Sequence, residues 1–265
     1  ILDPMKCVIL AAGYATRLYP LTRNFPKPLL EVGGRTILDH LIDQIRDIPD
    51  IDHVHLVTNN RFAGHFQDWL TALGDQTKAE NRADSGLPIT IHDDGTTSAE
   101  DRLGAIPDLQ FVIDQAGIED DILVTASDNI LQFSLNNVVK TWKRNCEFHI
   151  TVRHELDVED LKKRGNAILD GNDQLVDFIE KPEIPKSNWV VPPIYIYPKA
   201  SLKWIPKYLE HGKDKPGVTG DSPGQIVEWI YTRFPVYAHK IEGNILDIGN
   251  PESLAQARAI MEGNG

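Results

Sequence analysis

The chain has 265 residues, 41% hydrophobic and 25% charged, with a formal net charge of −12. That composition suits a globular protein with a full core, and no apolar run approaches the ~20 residues of a membrane-spanning helix. The negative balance argues against broad electrostatic binding to nucleic acid or anionic lipid, so an anionic substrate must be drawn in by a local basic cluster. The two cysteines, Cys7 and Cys146, lie far apart. They suggest neither a disulfide framework nor a zinc site, and a reducing cytoplasm is the expected location. Ile1-Leu2-Asp3-Pro4 carries no basic leader, and a natural start at Met5 would make residues 1–4 a foreign remnant.

The run Val8-Ile9-Leu10-Ala11-Ala12 reads as a buried strand that ends in a loop at Gly13. Thr36 to Ile48 carries a helical stripe of Ile37, Leu38, Leu41, Ile42 and Ile45. A short strand over Val54 to Thr58, a helix over Phe62 to Leu73 and a brief strand over Ile89 to Ile91 follow. The polar segment from Lys78 to Leu87 reads as a surface loop. Glu100 to Gln115 reads as a helix broken or kinked by Pro107, and Ile122 to Ala126 as a central strand. This alternation predicts an α/β fold with a mostly parallel central sheet flanked by helices.

The second half changes character. Short strands are expected at Phe148 to Val152, Ala167 to Leu169, Leu175 to Phe178 and Ile194 to Tyr197. A helix over Ile226 to Phe234, a strand over Val236 to Ile241 and a helix over Glu252 to Met261 close the chain. In Gly220-Asp221-Ser222-Pro223-Gly224, the expected role is a helix start with Ser222 as N-cap, in preference to contact with a substrate. The histidines lack metal-ligand spacing and read as surface or packing residues.

A strand that ends in a glycine loop presents backbone N–H groups to a phosphate. Arg17 and Lys27, the latter held between Pro26 and Pro28, supply fixed positive charge beside that loop. Asp128 directly follows the strand 122–126, at the kind of strand end where open parallel sheets bind ligands. Asp247 stands beside a second glycine, Gly249. Each acid reads either as a turn residue or as a hard oxygen ligand for Mg²⁺, which takes one or two carboxylates plus substrate phosphates. Glu180-Lys181-Pro182 reads alone as an exposed salt-bridging turn.

Ala11-Ala12-Gly13-Tyr14-Ala15-Thr16-Arg17-Leu18, Pro20-Leu21-Thr22 and Lys27-Pro28-Leu29 together resemble the signature of the sugar-1-phosphate nucleotidyltransferases, of the glucose-1-phosphate thymidylyltransferase type. Ser127-Asp128-Asn129, Glu180-Lys181-Pro182 and Asp247-Ile248-Gly249-Asn250-Pro251-Glu252 are similar to later motifs of that family, with Ser127 in place of Gly and Asn250 in place of Thr. Ala15 stands where many members carry Gly, and ordinary loop dihedrals are expected of it.

The resemblance runs from Met5 to about Ala259 and implies a Rossmann-like nucleotidyltransferase fold in one domain, 5–265. A nucleotide-binding half, 5–135, is followed by a smaller β-rich sugar-phosphate half, 136–265. It implies Mg²⁺-dependent transfer of a nucleotidyl group from an NTP to a sugar 1-phosphate, giving an NDP-sugar and pyrophosphate. Arg17 and Lys27 would be catalytic, and Asp128 and Asp247 would hold the metal. Leu10, Ala11, Ala12, Gly13, Tyr14, Ala15 and Thr16 would bind the nucleotide, with Asp94, Thr97, Asp101 and Leu103 in the base-reading position. Thr97, Ser98 and Asp101 also read as a polar loop capping the next helix. Asn129, Gly165, Glu180, Lys181 and Tyr195, with Asn166, would line the sugar-phosphate side. Two other readings stand: cytidylyl transfer to phosphocholine or another small phosphate ester, and a catalytically silent nucleotide-sugar-binding regulator. The expected partners are small molecules, with no nucleic acid and no membrane; a homo-oligomer is left open.

Overall fold

The apolar N-terminal run lies at the centre of a large sheet in the computed structural model, which describes residues 4–79, 86–212 and 220–263. In chain order the first half comprises β1 (Met5–Leu10), β2 (Glu31–Val32), β3 (Arg35–Thr36), α1 (Ile37–Arg46), β4 (Ile51–Thr58), α2 (Ala63–Ala79), β5 (Ile89–Asp93), α3 (Ala105–Ala116), β6 (Asp121–Ala126), β7 (Asn129–Leu131) and α4 (Leu135–Trp142). The second half comprises β8 (Phe148–His154), α5 (Val158–Lys162), β9 (Gly165–Leu169), β10 (Leu175–Glu180), β11 (Trp189–Val191), β12 (Ile194–Tyr197), α6 (Trp204–Gly212), α7 (Gly224–Ile230), β13 (Val236–Lys240), β14 (Ile245–Asp247) and α8 (Pro251–Gly263).

The sheet order is β10-β9-β11-β8-β12-β6-β1-β4-β5, with β13 also paired to β8. β5, β4, β1 and β6 run parallel, because a helix crosses back between each chain-adjacent pair. From β12 to β10 the path turns antiparallel, and only β13 joins β8 in parallel. β11 and β12 both pair with β8 but are separated by Pro192 and Pro193, which lack the N–H that a continuous ladder needs. The expected α/β architecture is therefore present: the first half is wholly parallel and the second half is antiparallel except for β13 on β8.

Period-two patterning splits the core. Val8, Ile122 and Val124 face one layer with α3, α6 and α7, while Cys7, Ile9 and Leu123 face the other with α1, α2 and α4. Central strands buried on both faces explain their unbroken apolar runs. α1 starts with a capping box in which Thr36 and Asp39 satisfy each other's backbone N–H. A third, smaller cluster joins Leu18, Val32 and Ile37 to Ile248, Leu254 and Ala257. Through it, β14 and α8 return from the end of the chain to pack beside the Gly13 loop.

Several local expectations need correction. α3 begins at Ala105, so Pro107 sits in the first turn, where its missing N–H has no intrahelical partner to lose, and no kink results. Lys78 and Ala79 continue α2, and residues 80–85 of the expected loop lie outside the described residues. The hairpin β2–β3 turns through Gly33 and Gly34, both at positive φ. Ala15 does not keep ordinary loop dihedrals: it is left-handed, at φ 46° and ψ 44°. Its carbonyl accepts from the Leu18 N–H at 3.0 Å and the Thr22 hydroxyl at 2.8 Å, which fixes it there. The left-handed conformation costs a residue with a Cβ roughly 1–2 kcal/mol, partly offset by the greater unfolded freedom of glycine. Ala15→Gly is expected to stabilise the protein by about 0.5–1 kcal/mol, read from the urea midpoint; an unchanged or lower midpoint would contradict the strain.

Candidate active site

The register of the parallel strands sets the site. Leu10 lies beside Val57 and Ala126, and Thr58 beside Asp93, so the segments after β1, β4, β5 and β6 emerge together at one edge. The Gly13 loop is tied down there. Asn59 Nδ2 donates to the Ala12 carbonyl at 3.0 Å, and the Ser127 N–H and hydroxyl both donate to the Leu10 carbonyl, at 3.2 and 2.9 Å. Tyr14 is buried, with its ring 6.0 Å from that of Phe62 and its hydroxyl 3.3 Å from the Thr96 hydroxyl. Its side chain therefore anchors the loop, and only its backbone is left to meet a nucleotide. A Cβ built on Gly13 meets no protein atom within 4 Å, so the loop keeps open space on its outer side.

Lys27 opens a 3₁₀ turn, Lys27–Leu29, that buried Pro28 and Leu29 hold in place. Its side chain is only 11% exposed. The ammonium donates to Asp128 Oδ2 at 2.7 Å and to the Ile248 carbonyl at 2.6 Å. β14 pairs antiparallel with β7, setting Asp247 opposite Asn129, and the Ile248 N–H donates to the Asp128 carbonyl at 3.2 Å. Asn129 Nδ2 donates to Asp128 Oδ1 at 2.7 Å, and Arg164 Nη2 to Asp247 Oδ2 at 2.5 Å. Arg17, Asp128, Asn129, Lys162, Lys163, Arg164, Lys181 and Asp247 line one cleft of about 520 Å³. Arg17, Lys27, Asp128 and Asp247, far apart in sequence, thus meet in one place. Among the described residues no group of three or more His, Cys, Asp or Glu side chains is arranged to hold a metal. The two carboxylates suit a hard divalent cation whose remaining ligands are phosphate oxygens and water.

Glu180 ends β10 opposite Gly165 of β9, and neither lines the cleft. The Glu180 carboxylate accepts from the Ser222 hydroxyl. A Cβ on Gly165 would lie 2.5 Å from the Phe178 ring, and one on Gly224 would lie 1.9 Å from Glu180 Oε2. Both glycines are therefore demanded by close approach around Glu180. Burial pushes the Glu180 carboxyl up and, with the Glu180 charge nearby, pushes the Tyr195 hydroxyl well up. Lys181 is exposed, and its N–H donates to the Arg164 carbonyl at 3.2 Å. Two expectations change here. Ser222 does not cap α7, whose N-cap is Pro223; it serves Glu180 instead. Asn166 is buried, and its amide holds the backbone of Lys186, Ser187 and Trp189, so it shapes the wall without facing the cleft.

A second cleft, of about 300 Å³, opens beyond Gly13 and is lined by Leu10, Ala12, Arg102, Gly104, Ala105, Asp108 and Asp221. Asp94, Thr97, Asp101 and Leu103 do not line it. Asp101 instead accepts from the N–H and hydroxyl groups of Thr97 and Ser98, closing an exposed turn. Those backbone N–H groups hold its carboxyl below the usual range. Arg102 pairs with Asp221 at 2.7 Å and replaces Leu103 in the wall. The sequence reading missed Arg102, Asp108, Asp221 and the run Lys162-Lys163-Arg164. Only that basic run, directly before Gly165, offered a local signal.

Asp108 is buried, and its charged neighbours are Asp94 and Asp221. Burial, then the Asp94 charge, pushes Asp108 up to about 8, and Asp94 is raised by burial as well. Among the described residues neither Asp108 Oδ1 nor Asp94 Oδ2 has a hydrogen-bond partner, an arrangement in which two acids titrate as a pair holding one shared proton. The folded chain keeps this proton where the unfolded chain has released it, so the pair's contribution is full below about pH 4 and is lost as pH rises towards 8. Asp108→Asn, which fixes the neutral form, is expected to raise the thermal midpoint at pH 9 and to change it much less at pH 5. Equal shifts at both pH values would remove the shared proton from the account.

The description Nucleotidyl transferase matches residues 6–263. The UTP–glucose-1-phosphate uridylyltransferase AglF of Haloferax volcanii is 30% identical over 255 residues, covering 96% of this chain and 95% of that protein. The bifunctional protein GlmU of Methanocaldococcus jannaschii is 24% identical over 96% of this chain, which spans 53% of that longer protein. The crystal structure of UDP-glucose pyrophosphorylase complexed with UDP-glucose matches all of both chains at a TM-score of 0.78 with 17% identity, a likeness of fold alone. With the family matched over residues 6–263, this chain belongs to the nucleotidyl transferase family.

Proposed function

We propose that this nucleotidyltransferase joins an NTP to a sugar 1-phosphate, giving an NDP-sugar and pyrophosphate, with Mg²⁺ held by Asp128 and Asp247. The observation that carries the reading is the Lys27 ammonium, clasped between Asp128 and the Ile248 carbonyl on the floor that joins the Gly13 loop to both acids. The acceptor phosphate is already an anionic nucleophile, so no proton need be removed. Its oxygen attacks the α-phosphorus of the NTP as the bond to the pyrophosphate oxygen breaks, and catalysis consists of alignment and charge stabilisation.

On this reading the backbone of the Gly13 loop receives the triphosphate, and Arg17 steadies the β- and γ-phosphates that leave. Lys27 neutralises the α-phosphate and the incoming oxygen as negative charge shifts between them. Lys181 binds the acceptor phosphate, and Glu180, held by Ser222, accepts from sugar hydroxyls. A bound divalent cation supplies charge neutralisation across the phosphates. The names of the relatives support a sugar 1-phosphate as acceptor, with glucose 1-phosphate and UTP as the first pair to try.

The test is pyrophosphate release with Mg²⁺, scanning ATP, GTP, CTP, UTP and dTTP against several sugar 1-phosphates and phosphocholine. Release with one sugar 1-phosphate is expected. Release with phosphocholine alone, or with no pair from folded protein, would overturn the reading. Lys27→Ala is expected to lower kcat by about 10²–10³-fold, the scale for removing one charge-stabilising group, with an unchanged circular dichroism spectrum.

A further inference from the structure

Asp247 is held by a cation that the reaction does not obviously need there. Arg164 stands between the end of α5 and the start of β9, with its carbonyl fixed by the Lys181 N–H at 3.2 Å. Its neighbours in the basic run are already engaged one turn back, Lys162 with Glu159 at 2.8 Å and Lys163 with Asp160 at 3.0 Å. Arg164 alone of the three reaches across the cleft to Asp247, at 2.5 Å. The contact is single-pronged. Nη2 meets one carboxylate oxygen, while Nε is buried and has no acceptor. A guanidinium locked onto a carboxylate uses two parallel N–H groups, so this one is held below its capacity. The two side chains are 23% and 37% exposed, which leaves the pair open to water and to competing ions.

Asp247 is also the carboxylate that the proposed function gives to a divalent cation, and the inference rests on that reading. A divalent cation that takes Asp247 Oδ2 competes with Arg164 for that oxygen. The doubly charged ion has the stronger claim in a cleft filled with phosphate. A displaced guanidinium then needs a new anion, and the anion within reach in this cleft is the phosphate of the acceptor, to which a guanidinium offers a two-pronged fit.

We propose that Arg164 is a displaceable counter-ion: it neutralises Asp247 until a divalent cation takes that carboxylate, then transfers its guanidinium to the acceptor phosphate. Metal loading and acceptor binding are thereby coupled through one side chain. Since the gain depends on differential contacts in the two arrangements, each ligand tightens the other.

The test needs neither turnover nor knowledge of the base. Mn²⁺ binding to the nucleotide-free protein is followed by electron paramagnetic resonance for wild type, Arg164→Met, Arg164→Lys and Asp247→Asn. Arg164→Met is expected to bind Mn²⁺ several-fold tighter than wild type, Arg164→Lys to fall between, and Asp247→Asn to bind more weakly. Calorimetric titration of inorganic phosphate is then expected to show tighter binding with Mg²⁺ than without it in wild type, and no such gain in Arg164→Met. Equal Mn²⁺ affinity in wild type and Arg164→Met overturns the exchange while leaving the cation site standing. Unchanged affinity in Asp247→Asn overturns both. If the Met variant does not fold, Arg164→Lys decides alone, and an affinity equal to wild type overturns the exchange.

Discussion

One ammonium group ties the candidate site together. Lys27 joins three distant parts of the chain: the turn after the Gly13 loop, the end of β6 through Asp128, and the return strand β14 through the Ile248 carbonyl. Its burial would be costly without those partners, because a desolvated cation must be paired. The packing of Leu18, Val32 and Ile37 on Ile248, Leu254 and Ala257 supplies the apolar support for the same junction. Site and core are therefore coupled here. The ammonium proposed to stabilise phosphate charge also ties the segment before α8 to the turn that follows the Gly13 loop.

This coupling explains why much of the site could be read from the sequence and why part of it could not. β1, α1 and β6 followed from local rules: unbroken apolar runs for strands buried on both faces and a 3.6-residue stripe for a helix packed on one side. The Arg17, Lys27, Asp128 and Asp247 set was legible through the family motifs that carry it, since each acid alone reads equally as a turn residue. The pairing of Arg164 with Asp247 was not, since it depends on where β14 returns after more than eighty residues. Ala15 misled for a related reason. Its identity favours ordinary dihedrals, and only the hydrogen bonds its carbonyl accepts from Leu18 and Thr22 impose the left-handed turn.

The base-side loop shows the limit of reading polar residues as ligands. Thr97, Ser98 and Asp101 satisfy one another in an exposed turn, the outcome that helix- and turn-capping chemistry favours when such residues are closely spaced. The cleft wall is made instead by Arg102, Gly104 and Asp108, whose positions follow from where α3 begins. A single element boundary, moved from residue 100 to residue 105, changes which side chains face the cleft.

The two clefts also differ in charge, and this gives the site a direction. Arg17, Lys162, Lys163, Arg164 and Lys181 outnumber two acids around the larger one, whereas Asp108 and Asp221 stand with one arginine around the smaller. Arg102 is committed to Asp221, and the proton shared by Asp94 and Asp108 removes one negative charge without adding a positive one. A triphosphate would be repelled from the smaller cleft and drawn towards the larger, while an uncharged base meets no such penalty beside the acids. On the proposed reading, orientation of a nucleotide on a chain of net charge −12 depends on this short-range contrast across Gly13, because the long-range field repels every anion alike.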